Sequence, residues 1–495
     1  MSNPNPATIP APRWFAWLAA VVLLGYGAFL GYNFTPVAGG SDSSGYLNAA
    51  QLLTHGQLIA PQRDFAGLTV SSAPQLQPLG FIADPSRSRL IPTYPLGLPA
   101  HLALASLLFG WTAGPLLIGV GATLAAMVLI YAIARELRLA WPLAAAGAVL
   151  LGAFPVTIFI AIQPLSDVLA TTWVLATVFA AFRARHSLGW AVATGVALSV
   201  AVFVRPTNLL LLPTIAVLLG RDRRSLVATA LGGLPGALLL LAANSHLFGS
   251  PWRLGYVSIA EAFSFDYFGP TLLHFVKWLG ALLPGIILGL AVVGFFLRRL
   301  TLRERLALAL WFFVPVTFYA FYEFAHEVWW GLRFILPAVP ALILAALVAL
   351  DAFFARRTLL LPTAAAILAL WAAVGSVLWT RHFHTLLSKT YERAYADVGT
   401  WARAQLPQDT VILTNADSGA LYYYTAFPIL RWDQMSPAEF AAHAAHLTRA
   451  GRPLHLVIFV SEENYVLNER VPARWEKVAV IAQRSIWRYV GPATP

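Results

Sequence analysis

Long apolar stretches alternate with short polar loops along residues 1–380 of the chain. Several of these stretches reach the roughly 20 residues that an α-helix needs to cross the hydrocarbon core of a bilayer. The first, Trp14 to Tyr32, is too long for the apolar region of a signal peptide and lacks a convincing cleavage site, so we expect it to be retained. The pattern predicts a polytopic α-helical membrane protein. The predicted spans lie near residues 14–32, 114–134, 142–161, 167–182, 188–204, 207–220, 226–243, 277–297, 304–322, 334–354 and 359–379.

Arginine is concentrated in alternate loops between these spans. Because basic residues accumulate in the cytoplasmic loops of membrane proteins, we predict that the arginine-rich loops are cytoplasmic. The chain then has about eleven spans, a cytoplasmic N-terminus and an extracytoplasmic C-terminus. An apolar run at 95–110 is short for a span, and it could be re-entrant or lie at the membrane interface. The basic clusters are Arg135/Arg138, Arg183/Arg185, Arg221/Arg223/Arg224, Arg298/Arg299/Arg303/Arg305 and Arg356/Arg357.

Two polar regions stand apart from this pattern. The loop at residues 35–93 is rich in Pro, Ser and Gln and includes a predicted amphipathic helix at Ser43–His55. After the last predicted span, helical and strand patterns alternate along residues 381–495. We therefore predict two domains, a transmembrane module at 1–380 and a small α/β domain at 381–495 on the extracytoplasmic side. Because this domain has no glycine-rich phosphate loop, we predict no nucleotide site. Its helices are expected at Tyr395–Gln405 and Pro437–Ala450, and its strands at Thr410–Thr414, Leu454–Val460, Val478–Ile481 and Ile486–Tyr489.

Composition supports the membrane prediction and narrows the chemistry. The 495 residues are 59% hydrophobic and only 11% charged, whereas soluble domains carry about 25% charged residues. The absence of cysteine excludes disulfides and thiolate metal sites. The net charge of +11 lies mostly in short loops between spans, so nucleic acid is not expected as a partner.

An aspartate directly follows the first apolar run, in the stretch Gly39–Tyr46 with the sequence GGSDSSGY. A carboxylate held there, close to the lipid headgroups, could meet a lipid-borne substrate and accept a proton from a hydroxyl. An alternative is that Asp42 caps the helix that begins near Ser43, since Asp is a favoured N-cap residue. Both interpretations are open at this point.

Two arginines depart from the charge distribution, because both lie in loops that are predicted to be extracytoplasmic. Arg205 precedes Pro206 between two spans, and Arg333 follows an aromatic segment. Arginine keeps its charge and offers a planar fork that matches phosphate, so the pair indicates an anion site at the membrane surface. The alternative is that each side chain extends from a helix end toward the lipid headgroups.

Three further segments on the same side contain polar residues. Asp167 begins a predicted span, where it could bind a substrate or cap a helix. Residues 244–253 form a predicted turn with polar groups at the membrane face. The segment 319–330 is rich in aromatic residues, as in an interfacial belt, but it also contains Glu323, His326 and Glu327. At helical spacing these three could supply nitrogen and oxygen ligands to a divalent metal, although the same residues also occur in ordinary polar loops.

Six short motifs follow one another in the predicted outer segments of the chain. They are an aspartate in the first outer loop (Asp42), Tyr-Pro-Leu-x-x-Pro (94–99), Ser-Asp (166–167), Val-Arg-Pro-Thr (204–207), Gly-Ser-Pro-x-x-x-Gly-Tyr (249–256) and Arg-Phe-Ile-Leu-Pro (333–337). Taken in this order, the motifs resemble those of the GT-C glycosyltransferases, in the bacterial branch similar to protein O-mannosyltransferases and aminoarabinose transferases. The resemblance covers roughly residues 14–380.

The resemblance implies a multi-pass enzyme of the bacterial inner membrane. Such an enzyme moves a sugar from a polyprenyl-phosphate donor to a hydroxyl of a lipid, glycan or protein acceptor. It implies that Asp42 is the catalytic base and that Arg205 and Arg333 contact the phosphate. No cofactor is implied with certainty, and a divalent metal stays open. The other predicted substrate-binding residues are Tyr46, Tyr94, Asp167, Tyr256, Glu323 and His326.

The chain departs from this family in one respect. Many relatives have two adjacent carboxylates where this chain has Asp42-Ser43, so the sequence does not support a two-carboxylate arrangement. Two other functions compete with the glycosyltransferase. A secondary transporter would have internal repeats and ionisable groups at the bilayer midplane. The sequence has almost no ionisable groups in the middle of its predicted spans, and its polar residues gather at one face. A lipid-linked polymer ligase would use the same type of donor lipid but transfer a whole glycan.

Overall fold

The structure is a computed structural model that describes residues 11–70, 72–255 and 259–493, and it is mainly helical. The first helices are α1 (Arg13–Asn33), α2 (Ser41–Thr54), α3 (Gly97–Glu136), α4 (Trp141–Gly152), α5 (Pro155–Ala161), α6 (Ser166–Arg183), α7 (Leu188–Val204), α8 (Leu212–Leu219) and α9 (Arg223–Phe248). They are followed by α10 (Ile259–Ala262), α11 (Phe268–Leu282), α12 (Ile286–Phe296), α13 (Leu302–Ala320), α14 (Val339–Phe353), α15 (Leu361–His382), α16 (Ser388–Gln405), α17 (Ser418–Tyr424), α18 (Pro437–Arg449) and α19 (Glu463–Tyr465).

Short strands lie in the two polar regions. They are β1 (Ala60–Pro61), β2 (Phe81–Asp84), β3 (Arg89–Pro92), β4 (Val411–Thr414), β5 (Ile429–Arg431), β6 (Leu454–Phe459), β7 (Ala473–Ile481) and β8 (Arg484–Pro492). Each helix and strand predicted after residue 380 is present, as is the predicted helix at Ser43–His55, but α16 begins at Ser388 and β7 at Ala473, earlier than predicted. The sequence did not predict α17 or β5. The patterns of the predicted elements were readable because apolar positions recur at the period of each structure.

Five helical segments are long and apolar enough to cross a membrane, or up to seven if each of two bent pairs is one span. The chain is therefore a multi-pass membrane protein by the length and composition of its helices. The predicted count of about eleven is not confirmed. Some apolar runs are shorter than a span requires, such as α7 and the segment Pro206–Leu219. The five segments are Arg13–Asn33, Gly97–Glu136, Arg223–Phe248, Trp329–Phe353 and Thr358–His382.

Proline and glycine account for the bends in the remaining runs. The predicted span at 142–161 is a pair of helices bent by 58°, in which Pro155 begins the second helix. The predicted span at 277–297 is interrupted at Pro284-Gly285, and the two helices there are bent by 111°. Proline lacks the backbone N–H that an α-helix needs in its interior. The run at 95–110 joins the next predicted span in α3, with a kink at Gly110 (φ 79°, ψ 165°).

By their contacts the residues form two compact units, and neither unit is a continuous stretch of chain. The first comprises residues 1–34, 116–242 and 257–386, and the second comprises 35–115, 243–256 and 387–495. In the first unit, α14 is buried on nearly all sides. Small residues bring its helices close together: a Cβ at Gly294 would lie 1.9 Å from the carbonyl oxygen of Ala345, and a Cβ at Gly195 would lie 1.9 Å from that of Thr229. Such small residues are typical of helix contacts within membranes.

Ion pairs connect helix ends in the first unit at several of the predicted cytoplasmic clusters. Arg138 pairs with Glu304 at 2.7 Å, and Arg183 pairs with Glu136 at 2.9 Å. Arg299 pairs with Asp351. Some of the basic residues that predict the topology therefore also hold helix ends together.

The second unit contains two sheets. The smaller is antiparallel, with strand order β1-β3-β2. The larger has the order β5-β4-β6-β8-β7, in which β5, β4 and β6 are parallel and β8 and β7 are antiparallel. One hydrophobic core includes Phe81 and Leu90 of the first polar region together with Leu413 and Leu456 of the last. The division into domains at 1–380 and 381–495 stays a prediction. By contacts, the loop at 35–93 is grouped with the C-terminal segment.

Candidate functional site

The first predicted catalytic residue lies in the first turn of α2, in the second unit. The helix begins at Ser41 with Gly40 as its N-cap residue, and no side chain caps it. Asp42 is thus the second residue of the helix and not its cap, so the capping alternative is wrong. A carboxylate in this turn interacts favourably with the helix dipole.

Tyr94 holds the Asp42 side chain. Its hydroxyl donates a hydrogen bond to Oδ1 of Asp42 at 2.7 Å, and the hydroxyl of Ser41 lies 2.9 Å from the same phenol oxygen. Burial, followed by the negative charge of Asp42, raises the pKa of Tyr94 well above its ordinary value. The phenol therefore remains protonated and can keep donating to the carboxylate. The ring of Tyr46, which is buried, packs against that of Tyr94 at 4.8 Å.

Close backbone contact around α2 makes this arrangement possible. A Cβ at Gly45 would lie 2.3 Å from the ring of Tyr94 and 3.0 Å from Cα of Gly80. Gly80 has a φ of 89°, which non-glycine residues rarely adopt. On the same helix, Asn48 donates a hydrogen bond to the carbonyl of Gly419 at 3.0 Å. Glycine at position 45 thus lets the tyrosine reach the aspartate.

A second carboxylate, which the sequence did not indicate, lies beside this turn. The backbone N–H of Gly40 donates to Oε2 of Glu392 at 3.1 Å, although the two residues are 352 positions apart. A Cβ at Gly39 would lie 1.5 Å from the same oxygen, so only glycine leaves room for the carboxylate. Burial raises the pKa of Glu392, whereas the hydrogen bond from Gly40 and the charge of Arg484 oppose this rise. In the sequence, the doublet Gly39-Gly40 is the feature that indicates a close approach of another segment to this turn.

A buried ion pair lies near Glu392 in the C-terminal segment. Nε of Arg484 is 3.2 Å from Oδ1 of Asp417, and both side chains are almost fully buried. The guanidinium group of Arg484 also lies over the ring of Tyr395, 4.3 Å from its centre. Burial raises the pKa of Asp417 to about 6, whereas the charge of Arg484 opposes this rise.

A second cluster lies in the first unit and contains Asp167, Arg205 and Arg333. Nη1 of Arg205 donates to Oδ1 of Asp167 at 2.6 Å, and Nε of Arg333 is 3.6 Å from the same oxygen. Helix α6 begins at Ser166 with Leu165 as its N-cap residue, so Asp167 does not cap it. The capping alternative is therefore wrong for this aspartate also. The structure shows that one carboxylate pairs with both predicted phosphate-binding arginines.

The backbone around these arginines is bent, as the sequence Arg205-Pro206 suggested. Arg205 ends α7 and precedes the 3₁₀ segment Pro206–Leu211. Its guanidinium group also donates to the carbonyl of Arg333 at 3.2 Å, and both guanidinium groups lie over the ring of Phe334. Arg205 also lines a pocket that is otherwise mainly apolar, with Val174, Thr207, Asn208, Leu210, Leu211, Trp311, Pro315, Tyr319, Phe334 and Pro337.

The remaining predicted residues do not form a metal site. Glu323 lies in a single 3₁₀ turn and not in an α-helix, so the helical spacing assumed for the segment is wrong. Nδ1 of His326 lies 3.2 Å from the hydroxyl of Thr271, and its ring packs against that of Tyr267. Within 11–70, 72–255 and 259–493, no three His, Asp or Glu side chains are grouped as a metal site requires. Tyr256 is outside the described residues.

The fold of the chain is similar to the folds of several solved structures. The structure of ArnT from Cupriavidus metallidurans bound to undecaprenyl phosphate matches with a TM-score of 0.64 and 16% identity, covering 98% of this chain and 100% of that one. An oligosaccharyltransferase from Archaeoglobus fulgidus, tethered with an acceptor peptide, matches with a TM-score of 0.52 and 12% identity over 91% of this chain and 70% of that one. The arabinofuranosyltransferase AftD from mycobacteria matches with a TM-score of 0.54 and 14% identity over 99% of this chain and 40% of that one.

No family model matches the sequence, and no curated protein matches it. The likeness is therefore one of structure, and at these identities it establishes the fold alone. ArnT, the oligosaccharyltransferase and AftD are all GT-C glycosyltransferases. The chain has the GT-C glycosyltransferase fold, as its ordered motifs predicted.

Proposed function

We propose that the protein is a membrane glycosyltransferase that moves a sugar from a polyprenyl-phosphate donor to an acceptor hydroxyl at the extracytoplasmic face, with Asp42 as the base. The observation that carries this proposal is the Asp42–Tyr94 hydrogen bond of 2.7 Å in the first turn of α2, in a chain with the GT-C fold. A carboxylate fixed in this way is suited to accept a proton from a hydroxyl. In the proposed topology the enzyme is a multi-pass protein of the bacterial inner membrane with an extracytoplasmic C-terminus.

The proposed reaction is a direct inverting displacement. The acceptor oxygen forms a bond to C1 of the sugar while the bond between C1 and the phosphate oxygen breaks. Asp42 takes the acceptor proton, and the electron pair of the broken bond leaves with the polyprenyl phosphate. A positioned base of this kind contributes about 10²–10⁴-fold to the rate.

The cluster at Arg205 and Arg333 is the proposed site of the donor phosphate. Guanidinium groups match phosphate geometry, and fixed cations stabilise the negative charge that develops on the leaving group. ArnT, with which the chain shares its fold, has been solved with undecaprenyl phosphate bound. Asp167 is assigned the role of orienting both guanidinium groups through their shared ion pair.

The proposed roles of the other residues follow from their positions. Tyr94 orients the base and Tyr46 supports Tyr94 by ring packing. Tyr256, Glu323 and His326 stay predicted contacts to substrate. The acceptor is a hydroxyl of a lipid, glycan or protein.

The test compares how much polyprenyl-phosphate sugar is consumed in cells that carry Asp42→Asn and in cells that carry the wild-type protein. This change keeps the size of the side chain but removes the base, so turnover should fall by about 10²–10⁴-fold. Mass spectrometry of membrane lipids should show that a polyprenyl-phosphate sugar accumulates. Asp64→Asn is the control, since the Asp64 side chain is in the same loop and is 82% exposed. Activity of Asp42→Asn within a few-fold of wild type would exclude Asp42 as the base.

A further inference from the structure

In α2 the backbone N–H of the N-cap residue is bound by a side chain from outside the helix, whereas in α13 and α18 it is bound by a residue of the same helix. In α13 and α18 a capping box is complete: Glu304 accepts from the backbone N–H of Thr301, and Glu439 accepts from that of Ser436. In each of these helices the glutamate is the third residue of the helix itself, which is the usual arrangement. In α2 the third residue is Ser43, and the N-cap residue is Gly40, which has no side chain to contribute.

Glu392 takes the place of the missing glutamate. Its Oε2 accepts the N–H of Gly40 at 3.1 Å, as the third residue of a capping box would. It comes from α16, in the C-terminal segment of the same unit. The first turn of α2, which carries Asp42, is therefore bound by a side chain that is 352 positions away along the chain.

We propose that Glu392 is a positioning residue for Asp42, because its carboxylate binds the N-cap N–H of α2 and so fixes the turn that carries the base. This inference rests on the proposed function. It gives the C-terminal segment an indirect part in the reaction, since the position of the base depends on a side chain from that segment. It also explains Gly39, whose missing Cβ leaves the space that the carboxylate of Glu392 occupies.

The first test measures kcat and KM of purified variants on polyprenyl-phosphate lipids extracted from the membranes of the Asp42→Asn strain. Glu392→Ala removes the acceptor, and kcat should fall about 10- to 100-fold, the range expected for a hydrogen bond to a charged group. The apparent KM should change little, because the donor site is assigned elsewhere. Glu392→Gln retains an amide oxygen that can accept the N–H of Gly40, so its kcat should stay within about fivefold of wild type.

Glu439→Ala is the matched control. Glu439 also accepts the N–H of an N-cap residue, that of Ser436 at 2.8 Å, and it lies in the same unit. Its removal should lower the thermal unfolding temperature and leave kcat unchanged. If Glu392→Ala behaves in the same way, with a lower unfolding temperature but an unchanged kcat for the folded enzyme, Glu392 is only a helix cap and the inference is wrong.

A second test displaces the carboxylate without removing it. In Gly39→Ala the new Cβ would lie 1.5 Å from Oε2 of Glu392 but 3.6 Å from its Cβ, so the clash is confined to the carboxylate end of the side chain. We expect Gly39→Ala to lose as much kcat as Glu392→Ala. The double variant Gly39→Ala/Glu392→Ala should be no slower than either single variant, because the clash is gone. Losses that multiply in the double variant would contradict the inference.

These outcomes are distinct from a failure of the proposed function. If Asp42→Asn remains active, the base assignment fails regardless of Glu392. If Asp42→Asn is inactive while Glu392→Ala and Gly39→Ala both keep the kcat of wild type, only the inference about Glu392 fails.

Discussion

The hydroxyl of Tyr94 lies 2.7 Å from Oδ1 of Asp42, although the two residues are separated by 52 positions in the sequence. The contact joins the first turn of α2 to the segment that precedes α3. It orients the carboxylate by a hydrogen bond from a phenol that burial keeps protonated. Two of the motifs that predicted the fold, the aspartate of the first outer loop and Tyr-Pro-Leu-x-x-Pro, are therefore in contact through Tyr94 and Asp42.

Tyr94→Phe should reduce turnover while the protein remains folded. The change removes the hydroxyl and keeps the ring that packs against Tyr46. A hydrogen bond to a charged group is worth about 1.5–3 kcal/mol, so the rate should fall by about one to two decades. Steady-state kinetics on extracted polyprenyl-phosphate lipids would measure it. Tyr489→Phe, in β8, is the control and should keep the wild-type rate. If Tyr94→Phe also keeps the wild-type rate, Tyr94 does not orient the base.

Lysine and alanine at Arg205 and Arg333 should separate phosphate binding from attraction to lipid headgroups. Lysine keeps the charge but loses the bidentate fork, so both Lys variants should be impaired yet detectable. Alanine should weaken donor use by about one to two decades. Titration of the extracted lipids gives the apparent KM for each variant. Arg381→Ala, at the exposed end of α15, is the control. If all four variants match wild type, the phosphate site lies elsewhere.

Asp167→Asn should destabilise the protein because it removes the charge that pairs with both arginines. Breaking a buried ion pair typically costs about 3–5 kcal/mol, and Arg205 and Asp167 have side chains only 10% and 1% exposed. The double variant Asp167→Asn/Arg205→Gln should lose less than the sum of the single losses, since the two residues interact. Thermal unfolding in detergent measures each value. Strictly additive losses would show that the pair contributes no coupling energy.

Stability should decrease as the pH rises through the titration of Asp417. Burial raises its pKa from 3.8 to about 6, so between these values the folded chain binds more protons than the unfolded chain. Under these conditions the free energy of unfolding falls with increasing pH. Asp417→Asn cannot titrate, so its free energy of unfolding should fall less over the same window. Glu392, whose pKa burial also raises, contributes in the same direction to both proteins. If the free energy of unfolding falls equally with pH in wild type and in Asp417→Asn, the prediction is wrong.

Reporter fusions test the predicted topology. A reporter that is active only outside the cytoplasm should be active after Ser388 and silent after Arg224, because the basic clusters place the second position inside. The opposite pair of results would put Asp42 in the cytoplasm. A lipid-linked donor at the extracytoplasmic face would then be excluded.

The sequence by itself determined the membrane class, the positions of most helices and the strands of the C-terminal segment other than β5. These features depend on the apolar period of each segment and on runs long enough for a bilayer, which are local properties. The order of the motifs also predicted the fold. Breaks such as Pro284-Gly285 were visible in the sequence, but whether they bend a span depends on the helices that pack around it.

Only the tertiary structure decided how the site residues are held. The pairing of Asp167 with Arg205 and Arg333, the hydrogen bond from Tyr94 to Asp42 and the approach of Glu392 to Gly40 all join residues that are distant in sequence. The aspartates at 42 and 167 look like helix caps in the sequence, because capping preference is local and both follow a break in an apolar run. The charged and polar groups that they contact come from other segments, and no local period encodes which segment folds against them.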